Sequence, residues 1–96
     1  EEVKRRAASD GNQKEIVAAL RKAGATVAPC HAVGKGFPDL VVGFRGQNFL
    51  IEVKDPNQPK HRHEMTPAQV EFHAGWKGRI AKVFTTDEAL QVIGAA

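Results

Sequence analysis

Residues 39–54 read DLVVGFRGQNFLIEVK, and this stretch decides the fold of the chain. It consists of two largely apolar runs on either side of a short turn at residues 45–47. Apolar runs rich in valine, isoleucine and phenylalanine, joined by a short turn that contains glycine, are typical of a β-hairpin. The stretch therefore predicts two antiparallel neighbouring strands, over residues 39–44 and 48–54.

The alternation of side chains along these strands predicts their register. Successive side chains of a strand point to opposite faces of the sheet. A hairpin symmetric about Gly46-Gln47 places Phe44 opposite Phe49, and Asp39 opposite Lys54 and diagonal to Glu52. A slip of one residue would drive the charged residues into the apolar face, which argues for this arrangement. One face is then charged, with Asp39, Glu52 and Lys54, and the other is apolar, with Leu40, Val42, Phe44, Phe49, Ile51 and Val53.

The three charged residues predict metal-assisted hydrolysis of phosphodiesters. Mg²⁺ is usually held by one or two carboxylates together with waters and phosphate oxygens, and Asp39 and Glu52 can supply the carboxylates. Lys54 could orient the attacking water, take its proton, or stabilise charge in the transition state. The sequence leaves these three roles open. The competing interpretation is an ordinary ion pair on a solvent-facing sheet.

The rest of the chain predicts a single α/β domain over residues 1–96, in the order helix, three strands, helix, strand, helix. Helices are expected on both sides of a mixed sheet. The first helix has Asp10 as a candidate N-cap, with Gln13 as its capping-box partner. The remaining predicted elements are a stop of the first helix at Gly24, an edge strand over residues 26–31, a helix from Thr66-Pro67 to about residue 76, a strand over residues 79–84, and a last helix capped by Thr86.

Gly36-Phe37-Pro38-Asp39, followed after twelve intervening residues by Glu52-Val53-Lys54, resembles the PD-(D/E)xK nuclease signature. More narrowly, nearly the whole chain resembles the virus-type replication-repair nuclease (VRR-NUC) domain in its compact, stand-alone phage form. The matching features include the opening helix and the Thr66-Pro67-Ala68-Gln69 helix start. The resemblance implies a restriction-endonuclease-like fold and DNA cleavage that depends on Mg²⁺ or Mn²⁺, with no organic cofactor.

The resemblance also implies a set of site residues. Asp39 and Glu52 match the metal ligands, the backbone carbonyl of Val53 would complete the protein part of the site, and Glu15 matches an acidic residue that approaches the metal directly or through water. Gln69 matches a polar residue that supports the site or a nearby phosphate. The stand-alone members further imply a homodimer acting on branched DNA such as four-way (Holliday) junctions, in recombination, repair or phage genome processing.

Composition agrees with a nucleic-acid partner without proving one. The net charge is +3 and the pI is about 9.3, a mild excess that fits a polyanion. Lys35, Lys60, His61 and Arg62 are the candidate DNA contacts. The single cysteine, Cys30, cannot form an internal disulfide, which favours a reducing, cytoplasmic setting, and no apolar run is long enough for a membrane span. The alternative function is a catalytically silent DNA-binding or assembly module with the nuclease fold.

Overall fold

The computed structural model of the protein describes residues 11–96, and within that range it contains three α-helices and four β-strands. They follow the predicted order, which confirms the α/β fold class. No helix of this range is both long and apolar enough to cross a bilayer. Two 3₁₀ turns, His31–Val33 and Lys60–Arg62, lie in loops. The elements are α1 Gln13–Lys22, β1 Thr26–Pro29, β2 Leu40–Phe44, β3 Gln47–Val53, α2 Pro67–Gly75, β4 Ile80–Val83 and α3 Thr86–Ile93.

The four strands form one mixed sheet in the order β1-β2-β3-β4. β1, β2 and β3 are antiparallel to their neighbours, whereas β4 is parallel to β3. A parallel pair needs a crossover connection, and α2 lies in the segment that joins β3 to β4. β1 lies at the edge of the sheet, as predicted, but it ends at Pro29 rather than at residue 31 because the chain turns into a 3₁₀ helix there.

The hairpin register differs from the prediction by two residues. Phe44 pairs with Gln47, not with Phe49, so the loop consists of Arg45 and Gly46 alone. Both loop residues have positive φ, 51° and 79°, as in a type I′ turn, whose twist matches that of paired strands. An arginine in this conformation is uncommon, which is why residue types alone did not locate the turn. A shift of two residues keeps every side chain on its face, so the predicted apolar and charged faces are retained.

The hydrophobic core lies between the apolar face of the sheet and the helices α1 and α3. Ile16 and Leu20 of α1 are fully buried, and so is Ala89 of α3. Burying a side chain such as leucine or isoleucine stabilises the fold by roughly 1.5–3 kcal/mol, so this layer supplies most of the stability. The sheet residues of the core are Leu40, Val42, Phe44, Phe49, Ile51, Val53 and Val83.

Two helix starts differ from the predictions. The N-cap of α3 is Thr85, one residue before the predicted Thr86, and its hydroxyl accepts a hydrogen bond from the Glu88 N–H at 3.1 Å. α1 begins at Gln13 with Asn12 in the N-cap position. The predicted cap of α1, Asp10, lies outside the described residues.

Helix α2 covers the charged face of the sheet, and none of its side chains is fully buried. It begins as predicted at Pro67, with a capping box between Thr66 and Gln69. The loop before β2 lies against its first turn. At Gly36, which has a φ of +81°, a Cβ atom would lie 2.3 Å from the Ala68 carbonyl oxygen, so this close approach requires glycine.

Candidate active site

Asp39 lies directly before β2, at the end of the hairpin away from the turn. Continuing the β2–β3 register by one residue places Asp39 opposite Glu52, not opposite Lys54 as predicted. Asp39 Oδ2 accepts a hydrogen bond from the backbone N–H of Val53 at 2.8 Å. The side chain is thereby fixed against the strand that carries Glu52.

Glu52 and Lys54 lie two residues apart at the end of β3 and are both buried, with exposed fractions of 2% and 8%. Lys54 Nζ lies 3.6 Å from Glu52 Oε2. Buried charged groups destabilise a fold unless they are paired and hydrogen-bonded. Glu52 Oε1 is nevertheless buried without a hydrogen-bond partner anywhere in the described part of the chain. A cation bound between Glu52 and the neighbouring Asp39 would give this oxygen a partner.

Gln69 joins the start of α2 to both of these residues. Its amide nitrogen donates to Glu52 Oε2 at 2.9 Å, and its carbonyl oxygen accepts from Lys54 Nζ at 3.1 Å. The same carbonyl oxygen accepts from the Thr66 N–H at 2.9 Å, which forms one half of the capping box. A single side chain thus caps the helix and orients both charged groups.

The pKa values of the two carboxyl groups are raised, chiefly by burial. Burial, followed by the negative charge of Asp39, raises the pKa of Glu52 to about 8, although Lys54 opposes the shift. Burial also raises the pKa of Asp39, against the hydrogen bond from Val53. Two neighbouring carboxyl groups, one buried and one partly buried, ionise together only at a cost, and they titrate as a pair. A bound cation would remove that cost.

This donor set fits a hard divalent cation. Mg²⁺ prefers oxygen ligands and typically takes one or two carboxylates, with waters and phosphate oxygens completing its octahedron. Asp39 and Glu52 provide the carboxylates, and the unpartnered Glu52 Oε1 provides an available oxygen. Across residues 11–96, no three or more His, Cys, Asp and Glu side chains are grouped so as to hold a metal. Oxygen donors of this kind suit a hard cation such as Mg²⁺ or Mn²⁺.

Glu15 is not brought into this group. It is exposed on α1 and lines a cavity of about 290 Å³ together with Thr86 and Asp87 at the start of α3. The structure therefore joins Asp39, Glu52, Lys54 and Gln69 among the predicted site residues, and the role of Glu15 stays a prediction.

The candidate DNA contacts are all exposed and lie in loops. Lys35 directly precedes Gly36, and Lys60–Arg62 form a 3₁₀ turn. The carbonyl of the next residue, His63, accepts a hydrogen bond from Lys82 at 3.4 Å. Lys82 is the register partner of Glu52 on β4. The basic turn is thus linked, through one side chain, to the strand beside the site.

Asn12 is one residue that the sequence analysis missed. Its side-chain nitrogen donates to the carbonyl of Lys54 at 3.0 Å and to that of Phe84 at 2.7 Å. It thereby ties the start of α1 to the ends of β3 and β4. Such a contact joins residues 42 and 72 positions apart, and no local pattern reveals it.

Gln13 is a second residue whose environment the sequence analysis did not predict. Only 8% of it is exposed, and its Oε1 accepts no hydrogen bond from any described residue. A signal was present in the sequence: Gln13 precedes Ile16 by three positions and Leu20 by seven, so helical periodicity places it on the buried stripe of α1. The sequence analysis singled out Glu15 instead, because the family resemblance matches it to an acidic residue of the site.

Two histidines interact electrostatically with the charged groups of the site. The positive charge of His31 is one of the weaker influences that lower the pKa of Asp39, against the dominant effect of burial. The pKa of His73 is lowered by burial and then by the charges of Lys82 and Lys54. His73 lies on α2 one turn after Gln69, the position at which the sequence predicts a shared face.

Comparison with known proteins identifies the fold. No protein-family model matches the chain, and no curated protein matches it in sequence. Among solved structures, the chain is similar to one described as a "VRR_NUC domain", with a TM-score of 0.65 and 24% sequence identity. The similarity covers 84% of this chain and 88% of that structure. The mixed sheet with its flanking helices is therefore a VRR-NUC-like fold.

Proposed function

We propose that this domain is a divalent-metal-dependent nuclease that hydrolyses DNA phosphodiester bonds. The observation that carries the proposal is the pair of half-buried Asp39 and buried Glu52, with an unpartnered Glu52 oxygen beside Lys54. The VRR-NUC-like fold supports it, because the name of that domain denotes a nuclease.

The carboxylates of Asp39 and Glu52, together with the backbone carbonyl of Val53, would hold Mg²⁺ or Mn²⁺. When bound, the cation supplies Lewis-acid polarisation of the phosphate and lowers the pKa of a coordinated water. The hydrogen bond from Val53 N–H to Asp39 Oδ2 keeps one carboxylate in place. Gln69 holds Glu52 Oε2, so that Glu52 Oε1 faces the ligand.

Lys54 is the residue that acts on the reacting groups. Its ammonium group donates to Gln69 Oε1 and retains further N–H donors for the attacking water and the phosphate. In the reaction the water oxygen forms a new bond to phosphorus, and the bond from phosphorus to the departing sugar oxygen breaks. The water loses one proton, and the departing oxygen gains one. Lys54 orients that water and offsets the negative charge that develops on the phosphate.

We propose further that the domain acts as a homodimer on branched DNA such as a four-way junction. Lys35 and the basic turn Lys60–Arg62 would contact phosphates, which position a protein on DNA without reading its sequence. Trp76 and Val70 of α2 are 43% and 50% exposed, and exposed apolar side chains of this kind are used in protein interfaces. A two-fold dimer matches the symmetry of a four-way junction.

A cleavage assay tests the function. The protein is incubated with a labelled four-way junction or a linear duplex, in Mg²⁺, Mn²⁺ or a chelator. We expect cleavage with either metal, none with chelator, and preference for the junction. Cleavage that persists in chelator would exclude the metal mechanism, whereas binding without cleavage under every condition would favour the silent DNA-binding module. Light scattering tests the dimer, which a monomeric species with and without DNA would contradict.

A further inference from the structure

The turn end of the hairpin carries a cavity that the proposed chemistry does not use. The cavity has a volume of about 340 Å³ and lies between the start of β3 and the end of α3. Two arginines line it, Arg45 of the hairpin loop and Arg79 directly before β4. None of its lining residues is acidic, and its other polar side chains are the amides of Gln47 and Gln91. The cavity is therefore positively charged.

An aromatic ring holds each of the two guanidinium groups in place. The guanidinium carbon of Arg45 lies 4.7 Å from the centre of the Phe44 ring. That of Arg79 lies 5.5 Å from the centre of the Phe49 ring. Among residues 11–96, no carboxylate lies within salt-bridge distance of either group. A cation–π contact leaves the N–H donors of a guanidinium unused, so both arginines have donors available for a ligand.

Arg45 occupies a backbone position that its residue type disfavours. Its φ is +51°, at the first position of the two-residue loop, where asparagine, aspartate or glycine is preferred. Residues held in disfavoured conformations cluster at functional sites. The turn itself does not need an arginine here, so the side chain points to a ligand.

Phosphate is the ligand that suits this pair best, because the planar fork of a guanidinium matches the oxygens of a phosphate group. In a domain that acts on DNA, the phosphates are those of the backbone. A phosphate site at the turn is separate from the candidate active site in two ways, by its face of the sheet and by its end of the strand.

The position of the cavity identifies the part of the DNA that would reach it. The rings of Phe44 and Phe49 belong to the apolar face, so the cavity lies on the other side of the sheet from Glu52. Gln47 and Glu52 are also five residues apart on β3, which corresponds to roughly 17 Å. A straight duplex on the charged face would not contact the cavity, whereas the arms of branched DNA leave the branch point in different directions.

We propose that Arg45 and Arg79 form a phosphate-binding site for a second arm of branched DNA, separate from the arm that is cleaved. This inference rests on the proposed function, in which branched DNA is the substrate. Phosphate contacts position a protein without reading bases. The site therefore adds affinity for branched DNA and no sequence preference.

Fluorescence anisotropy of a labelled four-way junction tests the proposal, with the full chain in chelator and KCl at roughly 50–200 mM. Counterion release at one phosphate contact contributes about 8-fold to affinity at 0.1 M salt. Arg45→Asn and Arg79→Gln should each weaken junction binding by about that factor and reduce the slope of log affinity against log salt by about 0.9. Their affinity for a linear duplex should stay within the error of the measurement. Lys22→Gln, at an exposed position of α1 outside the cavity, is the matched control for the lost charge.

Thermal unfolding and light scattering separate a DNA contact from a structural role. Asparagine tolerates a positive φ better than arginine does, so Arg45→Asn should melt at or above the temperature of the wild type. A lower melting temperature with unchanged junction affinity would overturn the proposal. Three other results would also overturn it: an equal loss of affinity in Lys22→Gln, an equal loss on the linear duplex, or a monomeric Arg45→Asn where the wild type is a dimer.

Cleavage of the junction by the wild type in Mg²⁺ distinguishes this inference from the proposed function. A wild type that cleaves, with unchanged junction affinity in both arginine variants, refutes only the second phosphate site. A wild type that neither binds nor cleaves DNA refutes both. A wild type that binds the junction through these arginines without cleaving it supports the site and refutes the nuclease activity.

Discussion

The two faces of the sheet are built on different principles. The face toward α1 and α3 is a continuous apolar layer in which residues such as Leu20, Leu40 and Ile51 are fully buried. The face toward α2 buries Glu52 and Lys54 under a helix that has no fully buried side chain of its own. The first face consists of packing contacts, whereas the second is held by hydrogen bonds through Gln69.

This difference shows how a small domain separates stability from chemistry. A buried carboxyl group with a pKa raised to about 8 is an unfavourable element in a fold. The apolar layer on the opposite face offsets that cost. Changes on the two faces should therefore have distinct signatures: loss of stability on one and loss of activity on the other.

The largest expected effect is on stability, from the apolar face. Leu20→Ala should lower the free energy of unfolding by about 2–5 kcal/mol, because it opens a cavity in the core. Glu71→Ala, on the exposed surface of α2, should change it by no more than about 0.5 kcal/mol. Urea denaturation followed by circular dichroism measures both. Equal losses in the two variants would remove the contrast between the faces.

The next effect is on activity, from the charged face. Glu52→Gln should reduce kcat by roughly a hundredfold to a thousandfold, because it removes a carboxylate that would hold the metal at the reacting phosphate. Single-turnover cleavage in saturating Mg²⁺ measures it. Glu71→Gln, at an exposed position of α2, is the matched control and should cleave like the wild type. Comparable activity in the two variants would contradict the assignment of Glu52.

A smaller effect separates the two functions of the α2 cap. Gln69→Ala removes the bonds to Glu52 and Lys54 and should lower kcat by about 10- to 100-fold, as for the loss of a supporting partner at a metal site. Thr66→Ala removes only the hydroxyl cap and should cost about 1 kcal/mol of stability without changing kcat. Parallel melting and cleavage measurements compare them. A Thr66→Ala variant as inactive as Gln69→Ala would mean that capping alone governs the site.

The smallest expected effect is the release of a proton when the metal binds. The pKa of Glu52 in the folded protein is raised from 4.5 to about 8, so the metal-free site holds a proton at pH 7. Stability of the metal-free protein due to this group is present at low pH and is lost as the pH rises through about 8. Metal binding should release nearly one proton at pH 7, and its affinity should rise by up to about tenfold per pH unit toward pH 8.

Calorimetry with Mg²⁺ in two buffers of different ionisation enthalpy measures this release. It should be smaller at pH 8.5 than at pH 6.5. A release that is the same at pH 6.5 and pH 8.5 would show that Glu52 does not hold the proton.

The sequence predicted the two faces of the sheet correctly, but it did not predict the register between β2 and β3. Period-2 alternation over residues 39–54 is a local property, so it identified the apolar and charged sides. The register depended on Arg45 adopting a positive φ, which its residue type disfavours. The register error of two residues left every side chain on its predicted face. It changed the residue opposite Asp39, which is Glu52 and not the predicted Lys54.

The contribution of α1 was harder to predict because it depends on tertiary contacts. The family resemblance pointed to Glu15, whereas periodicity with Ile16 and Leu20 places Gln13 on the buried stripe of α1. The bond from Asn12 to Lys54, which fixes this end of α1 against the sheet, has no sequence signature. The capping box of Thr66 and Gln69 is local and was predictable as a helix start, but its link to Glu52 was not.

The most direct test of the central claim is the position of the metal itself. Crystals of the wild-type protein soaked in Mn²⁺ give anomalous scattering that locates the ion. The account predicts a peak within coordination distance of the carboxylate oxygens of Asp39 and Glu52. A Mn²⁺ peak bound elsewhere, or no peak beside Asp39 and Glu52 at saturating Mn²⁺, would contradict it.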